Sequence, residues 1–535
     1  MTNISRRRFF EDSFCAAMTA GAAAGITKTL AADELTQNVA TKKEFGANDR
    51  LGVCIVAAGG RAAVHAQFFG ADKRIKILYC CDPDINRANA LSKRIKDWYG
   101  YAPKAVTDFR SSLDDKAVNI VTCASSNHWH ALTGILALQA GKHCYMEKPM
   151  THNLTEGKSL VAAVKKYGLV FQHGTQQRST SNVRDAVEFI RNGGIGNVNF
   201  ARVLLYHDGR KAIGSLGDYP IPQGIDYDFW SGPAPVKPLT RKRFHYDWHW
   251  QRLYGNGDIA NQGTHQIDTA RRFLGVERFP NSVLCYGGRI GYDIEMKDPN
   301  YHDAGDTANT QVALYNYGDK SLVIEVRNLP SPPFTLPVGD KIGTRIGSII
   351  YGTEGYAVQG KLYSMQNNFW WCFTQTFVYD SKGNLIKTFK NTDANGKSVE
   401  DRDPTEVHIP NFINAVLAND PAKVTANARC GELSTALCHL GNISYYLGES
   451  NKISNNNLKQ VLESVKSLDD NETTLARTLE HLNANGVDLN KTPLSLGTML
   501  KIDVDKEIFI DNNEANAMMT RDYRTPFVVP KPEDV

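Results

Sequence analysis

Residues 50–62 read RLGVCIVAAGGRA and place an apolar run directly before a pair of glycines. The run Arg50–Ala58 is predicted to be a strand, and Ala62–Phe69 is predicted to be a helix. A second apolar run, Ile75–Cys81, ends at the acidic residue Asp82. A buried strand, a tight turn, a helix and a second strand are typical of the first unit of a doubly wound α/β sheet.

The same alternation of strands and helices continues to about residue 175. Short strands that alternate with helices favour a parallel sheet. Each helix forms a right-handed crossover that brings the chain back to the end of the sheet where the previous strand began, so the next strand runs in the same direction. The strands are continuous apolar runs, as expected when helices cover both faces of the sheet. We therefore predict a Rossmann-type domain over residues 48–175. Its further elements are helices over 86–98, 130–140 and 154–167, and strands over 118–124, 143–146 and 169–174.

After about residue 195, apolar runs follow one another with short turns and few helices between them. This pattern indicates a largely antiparallel sheet, and so an α+β second domain over residues 176–450. Residues 451–457, NKISNNN, mark a boundary. Residues 451–535 are predicted to be a C-terminal extension that wraps the body. The fold class is thus α/β, with an N-terminal Rossmann sheet and a C-terminal α+β domain carrying a large, mostly antiparallel open sheet.

The composition limits the classes of function. The chain has 535 residues, 42% of them hydrophobic and 22% charged, as in a soluble globular protein of two to four domains. The formal net charge of +4 is too small and too evenly spread to indicate a nucleic-acid partner. The ten cysteines do not form a disulfide-like or zinc-like pattern.

The first 32 residues differ from the rest. A basic head, Ser5-Arg6-Arg7-Arg8-Phe9-Phe10, precedes a short alanine-rich run and the small residues Ala31 and Ala32. This order resembles a twin-arginine export signal, so we expect a periplasmic or otherwise exported protein. A disordered basic tail is the alternative. The apolar run is shorter than the roughly 20 residues that span a bilayer, and we expect no membrane span.

The turn after the first strand partly matches the dinucleotide fingerprint G-x-G-x-x-G/A. Ala57 stands at the first glycine position and Gly59 at the second, followed by Gly60 and Arg61. Glycine lets the backbone approach a pyrophosphate, and the helix N-terminus supplies N–H groups. Asp82 can accept from a ribose hydroxyl, which favours NAD over NADP. A strand–helix turn that binds no ligand is the alternative.

Three further stretches lie in a meaningful order: SSNHWH (125–130), CYMEKPM (144–150) and GNGDIANQGTHQID (255–268). Together with the glycine turn they resemble the Gfo/Idh/MocA family of NAD(P)-dependent oxidoreductases over roughly residues 48–450. The resemblance implies chemistry on sugars, cyclitols or their derivatives. It also implies an open sheet whose face packs against another subunit, and hence a homodimer or homotetramer.

The resemblance assigns roles to individual residues. Lys148 and His265 are expected to be the acid/base groups, with Asp268 orienting His265 or binding sugar hydroxyls. The Lys148–Pro149 bond is expected to be cis. Many relatives carry Asp four residues before the histidine, where this chain has Asn261, which can position a hydroxyl but cannot accept its proton.

The remaining candidates lie around these groups. His245 and His249 are four residues apart, but no acidic third ligand has a recognisable spacing, so no metal is predicted. The cofactor-binding candidates are Gly59, Gly60, Arg61, Asp82, Ser125, Asn127, His128, His130, Glu147, Lys148 and Gln176, with Asn127 also a candidate helix N-cap. The substrate-binding candidates are Arg178, Trp230, Asn261 and His265, with Trp230 alternatively a core aromatic residue.

The sequence therefore predicts a dehydrogenase or reductase of a secondary hydroxyl on a sugar or cyclitol. An exported enzyme meets little free NAD, which favours a tightly bound, internally recycled cofactor. Two alternatives stay open. One is an NAD-dependent glycosidase or lyase that oxidises a ring hydroxyl, eliminates a leaving group and reduces the ring again. The other is a non-catalytic sugar- or cofactor-binding protein on the same fold.

Overall fold

The computed structural model describes residues 50–207, 209–336, 342–364, 369–371, 375–393, 395–399 and 403–535. The predicted export signal, residues 1–32, lies outside these ranges. Within them, no helix is both long enough and apolar enough to cross a membrane.

The N-terminal half forms the predicted parallel sheet. Six strands lie in the order β3-β2-β1-β4-β5-β6, and every neighbouring pair is parallel. Strand order reverses between β1 and β4, which is where ligands bind in sheets of this kind. The prediction of a doubly wound sheet is confirmed. The strands are β1 (Leu51–Val56), β2 (Ile75–Cys81), β3 (Lys104–Val106), β4 (Val118–Cys123), β5 (His143–Met146) and β6 (Phe171–His173).

The helices between these strands begin and end at residues with suitable capping chemistry. Asp84 and Asn153 accept hydrogen bonds from backbone N–H groups at two helix starts, and Gly100 and Gly168 end the same helices in the left-handed conformation. The helices are α1 (Gly60–Ala71), α2 (Ile85–Tyr99), α3 (Asn127–Gln139), α4 (Leu154–Tyr167) and α5 (Ser181–Arg191), with 3₁₀ turns over Phe109–Ser112 and Gln176–Ser179.

The second sheet is large and mixed. Thirteen strands of the described ranges belong to it, and only β7 and β10 pair in parallel. The main order is β16-β15-β13-β12-β7-β10-β9-β8-β18-β19, with β11, β14 and β17 attached to β12, β13 and β8. The strands are β7 (Val198–Tyr206), β8 (Ser282–Gly288), β9 (Thr310–Asn316), β10 (Ser321–Arg327), β11 (Phe334–Thr335), β12 (Ile342–Gly352), β13 (Gly355–Ser364), β14 (Phe369–Trp371), β15 (Gln375–Asp380), β16 (Leu385–Lys390), β17 (Ser495–Leu496), β18 (Leu500–Asp503) and β19 (Ile508–Phe509).

Two long helices cover the face of this sheet that is turned toward the first domain. Ile267 and Ala270 on one helix, and Leu437 on the other, pack with Val203 and Ala313 of the sheet in one buried cluster. The helices of the second half are α6 (Tyr227–Ser231), α7 (Asp258–Asn261), α8 (Gly263–Leu274), α9 (Tyr292–Met296), α10 (Thr405–Leu417), α11 (Ala428–Leu447), α12 (Asn455–Glu463), α13 (Asn471–Ala484) and α14 (Asn513–Ala517), with 3₁₀ turns over Asp247–Trp250 and Pro421–Lys423.

The C-terminal extension covers part of the opposite face. Leu458 and Leu482, on α12 and α13, pack against Leu284 and Val323 of the sheet. Buried ion pairs join Arg202 of β7 to Glu325 of β10 and to Asp469 just before α13. Strands β17 and β18 pair with β8, so the extension also lengthens the sheet. Part of the face that the resemblance assigns to subunit contact is thus covered by the chain itself.

The predicted domain boundaries need one correction. Helix α10, placed within the second domain, packs against the first, where Ile409 and Phe412 join the cluster around Phe69. The end of the chain also returns to the first domain, since Phe527 packs edge-on against Trp129. The two domains therefore exchange segments, because an apolar helix face is buried wherever a matching apolar surface lies.

Candidate functional site

The carboxyl ends of β1, β4 and β5 meet at one edge of the first sheet. The residues that follow these strands are 57–60, 124–126 and 147–148. Parallel strands present their carboxyl ends together, so the glycine turn, Ser125 and Lys148 lie along the same edge. This edge, together with the loop 255–265, forms the candidate site.

The turn between β1 and α1 is shaped for close approach. Ala57 has φ of +75°, in the left-handed region that favours glycine, which explains why glycine stands at this position of the fingerprint. A Cβ at Gly59 would meet only Arg87, at 3.5 Å, and one at Gly60 would meet nothing within 4 Å. Gly59 caps α1 without a side-chain hydrogen bond. The open backbone N–H groups at this helix N-terminus fit a pyrophosphate.

Asp82 lies at the end of β2, beside this turn. Its carboxylate accepts from the backbone N–H of Ala58 at 2.7 Å and of Asp84 at 2.9 Å. Burial raises the pKa of Asp82, while these hydrogen bonds and Arg87 oppose that rise. Its position fits the recognition of a ribose hydroxyl at the edge of the sheet.

Arg61, Glu147 and Gln176, which are predicted to bind the cofactor, also bond one another. Arg61 Nε donates to Glu147 Oε1 at 2.6 Å, and Gln176 Nε2 donates to the same oxygen at 2.8 Å. His65 Nε2 lies 3.1 Å from it. Glu147 is 3% exposed, so this network is buried inside the first domain and stabilises β5 against α1.

The start of α3 also differs from the prediction. Ser126, and not Asn127, is the N-cap, and Asn127 instead donates to the side chain of Asn256 at 2.9 Å. His128 lies between the carbonyls of Trp230 and Tyr254, and His130 between those of Pro149 and Ser125. Both imidazoles are buried. They hold the loops together, and only Ser125 of this group stays half-exposed at the edge.

Lys148 is one of the polar side chains that join the two domains. Its peptide bond to Pro149 is cis, as the resemblance implies. Its Nζ donates to the backbone carbonyl of Asn261 on α7, and Asn261 Oδ1 lies 3.5 Å away. Asn261 therefore holds the ammonium group in place through both its backbone and its amide.

His265 lies in the first turns of α8, close to Lys148. It is 2% exposed, and its Nδ1 has no hydrogen-bond partner in the described part of the chain. Burial lowers the pKa of His265 well below its usual range, and the Lys148 ammonium lowers it further. The imidazole is therefore neutral at physiological pH, with a buried nitrogen available to a bound molecule.

Asp268 is bonded to Arg178 and Ser434. Arg178 Nε donates to its two oxygens at 2.9 and 2.8 Å, and Ser434 Oγ donates to Oδ1 at 2.7 Å. Burial would raise the pKa of Asp268, but Arg178 and then Arg271 hold it below its usual range. Asp268 and Arg178 thus form a buried ion pair between α8 and the Gln176–Ser179 turn, and their catalytic and substrate-binding roles stay predictions.

Trp230 is a core residue. Its ring stacks on Tyr227, packs against Phe244 and Tyr254, and lies under the guanidinium of Arg241. It is 7% exposed. This packing favours the alternative of a core aromatic residue over a substrate contact.

The structure adds residues that the sequence analysis did not select. His207 and Arg210 follow β7 and approach Asp258, with Arg210 Nη1 2.7 Å from Asp258 Oδ1. Asp258 also accepts from Trp250 Nε1 at 2.8 Å and from Asn328. The available signal was the polar run HDGR directly after a strand end, of which Asp208 lies outside the described residues.

His245 and His249 make no joint site. His245 Nε2 lies 3.0 Å from Asp84, whereas His249 stacks on Trp248. Among the residues described, no group of three His, Cys, Asp or Glu side chains could hold a metal ion. Every cysteine in those ranges is free.

A parallel sheet with an open glycine turn, an acid ending β2 and a lysine ending β5 defines the class of NAD-binding α/β proteins. Residues 51–175 match the model for an oxidoreductase family with an NAD-binding Rossmann fold. Residues 205–286, from β7 to β8, match the C-terminal alpha/beta domain of that family. Both models are of the Gfo/Idh/MocA family of oxidoreductases, which these two segments resemble.

The curated relatives with matching segments include dehydrogenases named for sugars. Levoglucosan dehydrogenase of Pseudarthrobacter phenanthrenivorans is 31% identical over 181 residues, or 34% of this chain and 39% of the relative. D-glucoside 3-dehydrogenase of Escherichia coli is 26% identical over 149 residues, or 28% of this chain and 41% of the relative. The matched segments thus span less than half the length of these two relatives.

Solved structures show the same fold. A levoglucosan dehydrogenase in complex with NADH and levoglucosan superposes with a TM-score of 0.51 at 18% identity, covering 73% of this chain and 96% of that chain. At this identity the likeness shows the fold alone.

Proposed function

We propose that this protein is an NAD-dependent oxidoreductase that acts on a secondary hydroxyl of a sugar, a cyclitol or a sugar derivative. The observation that carries the proposal is the position of Lys148. It lies on the sheet edge that also carries the glycine turn, donates to the carbonyl of Asn261 in the second domain, and acts electrostatically on His265. The names of the sugar dehydrogenases among the relatives support the substrate class.

The residues around β1 fit the cofactor. The N-terminus of α1 would hold the pyrophosphate, and Asp82 the adenine ribose. A carboxylate there repels a 2′-phosphate, which favours NAD over NADP. When bound, NAD supplies the hydride acceptor at its nicotinamide ring. Ser125 and Lys148 lie further along the edge, where that ring is expected.

The proton of the substrate hydroxyl needs an acceptor. His265 is neutral and buried, with Nδ1 unpartnered within the described residues, so it can take the proton. Lys148, held by the carbonyl of Asn261, can stabilise the developing alkoxide or exchange the proton with His265. Asn261 positions Lys148 and does not itself exchange protons.

The test begins with protein purified without added nucleotide. Mass spectrometry of the denatured protein identifies any released dinucleotide. The intact protein is then titrated with levoglucosan, glucosides, free aldoses and myo-inositol while the absorbance of reduced nicotinamide is followed. Reduction of NAD by one sugar class supports the proposal. Failure to bind any dinucleotide contradicts it and favours the binding-protein alternative.

A redox-assisted glycosidase or lyase is the second candidate. A neutral His265 beside an ammonium group is an acid/base pair that elimination also requires. Aryl glycosides separate the two readings. Release of the aryl group without net formation of reduced cofactor favours elimination, whereas accumulation of reduced cofactor with the glycoside intact favours dehydrogenation.

We further propose export by the twin-arginine route, supported by Arg6 and Arg7 before the alanine-rich run. N-terminal sequencing of protein from the periplasm should find a start near Ala32. The double variant Arg6→Lys/Arg7→Lys should remain unprocessed in the cytoplasm. Processing of that variant at the normal rate would contradict the proposal.

A homodimer or homotetramer is also proposed. The extension covers the face of β7–β10, so assembly would use the strands beyond β12. Leu385 and Ile386, on the edge strand β16, are 55% and 50% exposed, which supports a contact there. Light scattering of the wild type and of Leu385→Lys/Ile386→Lys tests this, since the variant should be monomeric. A wild-type monomer would contradict the proposal.

A further inference from the structure

A cavity of about 190 Å³ adjoins the candidate site at residues 255–256, but its lining includes none of the side chains assigned above to the cofactor or the reaction. Four segments enclose it: residues 152–153, the loop 252–256, the second half of α11, and residues 518–521 of the extension. The extension thus contributes one wall, so the cavity depends on the part of the chain that lies outside the two family domains.

Two buried imidazoles line this cavity with unused hydrogen-bonding capacity. His439 is 4% exposed, and its Nε2 has no partner in the ranges that the structure describes, although the carbonyl of Thr151 lies near the ring. His152 Nε2 is likewise buried without a partner in hydrogen-bond geometry, although the carbonyl of Arg252 lies near it. A buried polar atom left unpaired costs about 1–3 kcal/mol, so both point to a ligand that would pair them.

The cavity also contains a cation without a matching acid. Arg521 Nη1 donates to the carbonyl of Leu253 at 3.0 Å and lies 3.3 Å from His152 Nδ1. Among the described residues, no carboxylate lies within 4 Å of the Arg521 guanidinium. Glu156 acts on Arg521 from farther away, and its oxygens accept from Asn153 and Tyr523 instead.

The second guanidinium of the cavity is different. Arg252 lies 3.0 Å from Glu449 and 3.4 Å from Asp306, so its charge is neutralised. Burial lowers the pKa of both histidines, to about 4 for His439, and they carry no charge at neutral pH. Among the described residues, the cavity therefore has one guanidinium, that of Arg521, with no carboxylate within 4 Å, and Glu156 opposes its charge only from farther away. This arrangement favours a monoanion over a dianionic phosphate.

We propose that this cavity binds a monocarboxylate of about monosaccharide size, such as a sugar acid. The guanidinium of Arg521 can bind a carboxylate with two parallel hydrogen bonds. The unpaired nitrogens of His152 and His439 can bind its hydroxyls. Tyr446 and Ile443 offer the apolar surface against which a sugar ring packs.

The test is a calorimetric titration at neutral pH with D-glucuronate and with D-glucose, which lacks the carboxylate. It uses the wild type, Lys148→Ala, Arg521→Gln and a matched control, Arg524→Gln. Arg524 lies three residues after Arg521, and its side chain pairs with Asp228 instead. We expect glucuronate to bind the wild type, Lys148→Ala and Arg524→Gln equally. Glucose should bind at least tenfold more weakly, and Arg521→Gln should lose at least tenfold of the glucuronate affinity.

Three results would overturn the proposal: equal binding of glucose and glucuronate, equal binding by Arg521→Gln and Arg524→Gln, or loss of glucuronate binding in Lys148→Ala, which would place the ligand at the reaction site. If Arg521→Gln has a lowered unfolding temperature, His439→Gln replaces it, with the same expected loss. The binding assay needs no turnover. Its result therefore stays valid whether or not the proposed redox function is correct.

Discussion

The two ends of the candidate site differ in composition, because one is formed by backbone groups and the other by side chains. At the β1–α1 turn, the site consists of backbone N–H groups and two glycines, with no side-chain hydrogen bond at the helix cap. At the end of β5, Lys148 is placed by contacts with Asn261 from another domain. The backbone part of the site requires the absence of side chains at Gly59 and Gly60. The side-chain part requires neighbouring residues that hold Lys148 in position. The comparison teaches that charged motif residues divide between chemistry and packing according to the direction in which they point.

Neighbouring residues show this division. Glu147 points into the first domain and meets Arg61, His65 and Gln176, whereas Lys148 reaches across to α7. Successive residues of an extended segment point to opposite sides. Two adjacent residues of one motif can therefore differ in role, one packing in the domain interior and the other lying at the site. The same holds on α8, where His265 approaches Lys148 and Asp268 pairs with Arg178.

The largest effect is expected at Lys148. Lys148→Ala should lower kcat by roughly 10²–10⁴-fold, the usual contribution of a positioned acid/base group, while NAD affinity stays unchanged. Steady-state kinetics and nucleotide titration measure the two quantities. Lys142→Ala is the control, since Lys142 bonds the carbonyl of Asp115 within the same domain. A Lys148→Ala enzyme with wild-type kcat would remove the side-chain end of the comparison.

Asp268→Asn should act on stability. Breaking a buried ion pair costs about 3–5 kcal/mol in the free energy of unfolding, because Arg178 is left without its partner. Urea unfolding measures this loss, and kcat of the folded fraction should change little. A fall in kcat with unchanged stability would return Asp268 to the catalytic residues.

Asp82→Asn tests the cofactor end. Removing the charge should weaken NAD binding by about tenfold or more, the value of a hydrogen bond to a charged group, and should reduce the preference for NAD over NADP. Equilibrium titrations with both nucleotides give the ratio. An unchanged ratio would remove Asp82 from the ribose site.

A variant at His128 distinguishes a cofactor-contacting histidine from a buried structural one. Burial lowers the pKa of His128 in the folded protein to about 3, against about 6.5 when unfolded. The unfolded state therefore binds more protons below pH 6.5, and stability falls as the pH decreases. His128→Asn should flatten the slope of unfolding free energy against pH by about 1.4 kcal/mol per pH unit between about pH 6 and pH 4. An unchanged slope in urea titrations would show that His128 is not buried and neutral.

The smallest effect is expected at Ala57. Its φ of +75° is unfavourable for a residue with a Cβ, so Ala57→Gly should stabilise the protein by about 1 kcal/mol. NAD affinity should not fall, because glycine is the residue of the fingerprint. Thermal unfolding and nucleotide titration check both. A destabilised variant would show that the turn does not need this conformation.

Much of the fold was predictable from the sequence. Strands such as Ile75–Cys81 and His143–Met146 have the predicted bounds, because short apolar runs between turn residues are strong signals. Helix α5 was not predicted, and α10 was assigned to the wrong domain, because the partner surface of an amphipathic helix is not written in its own sequence. Strand β3, with three residues, is too short to give a periodic pattern.

The site divides in the same way. The glycine turn and the carboxyl-end position of Lys148 were predictable, because strand ends and glycines are local features. The partners of Arg61, Glu147, Arg178 and Asp268 were not, because each lies in a segment distant in sequence. His207 and Arg210 were missed for the same reason, since only the folded chain brings them to Asp258.

The most direct test of the central claim is a crystal structure of the protein with NAD. We expect the pyrophosphate at the N–H groups of Gly59 and Gly60, the adenine ribose at Asp82, and the nicotinamide ring facing Lys148 and His265. A nucleotide bound with its nicotinamide away from Lys148, or bound outside the β1–α1 turn, would contradict the account.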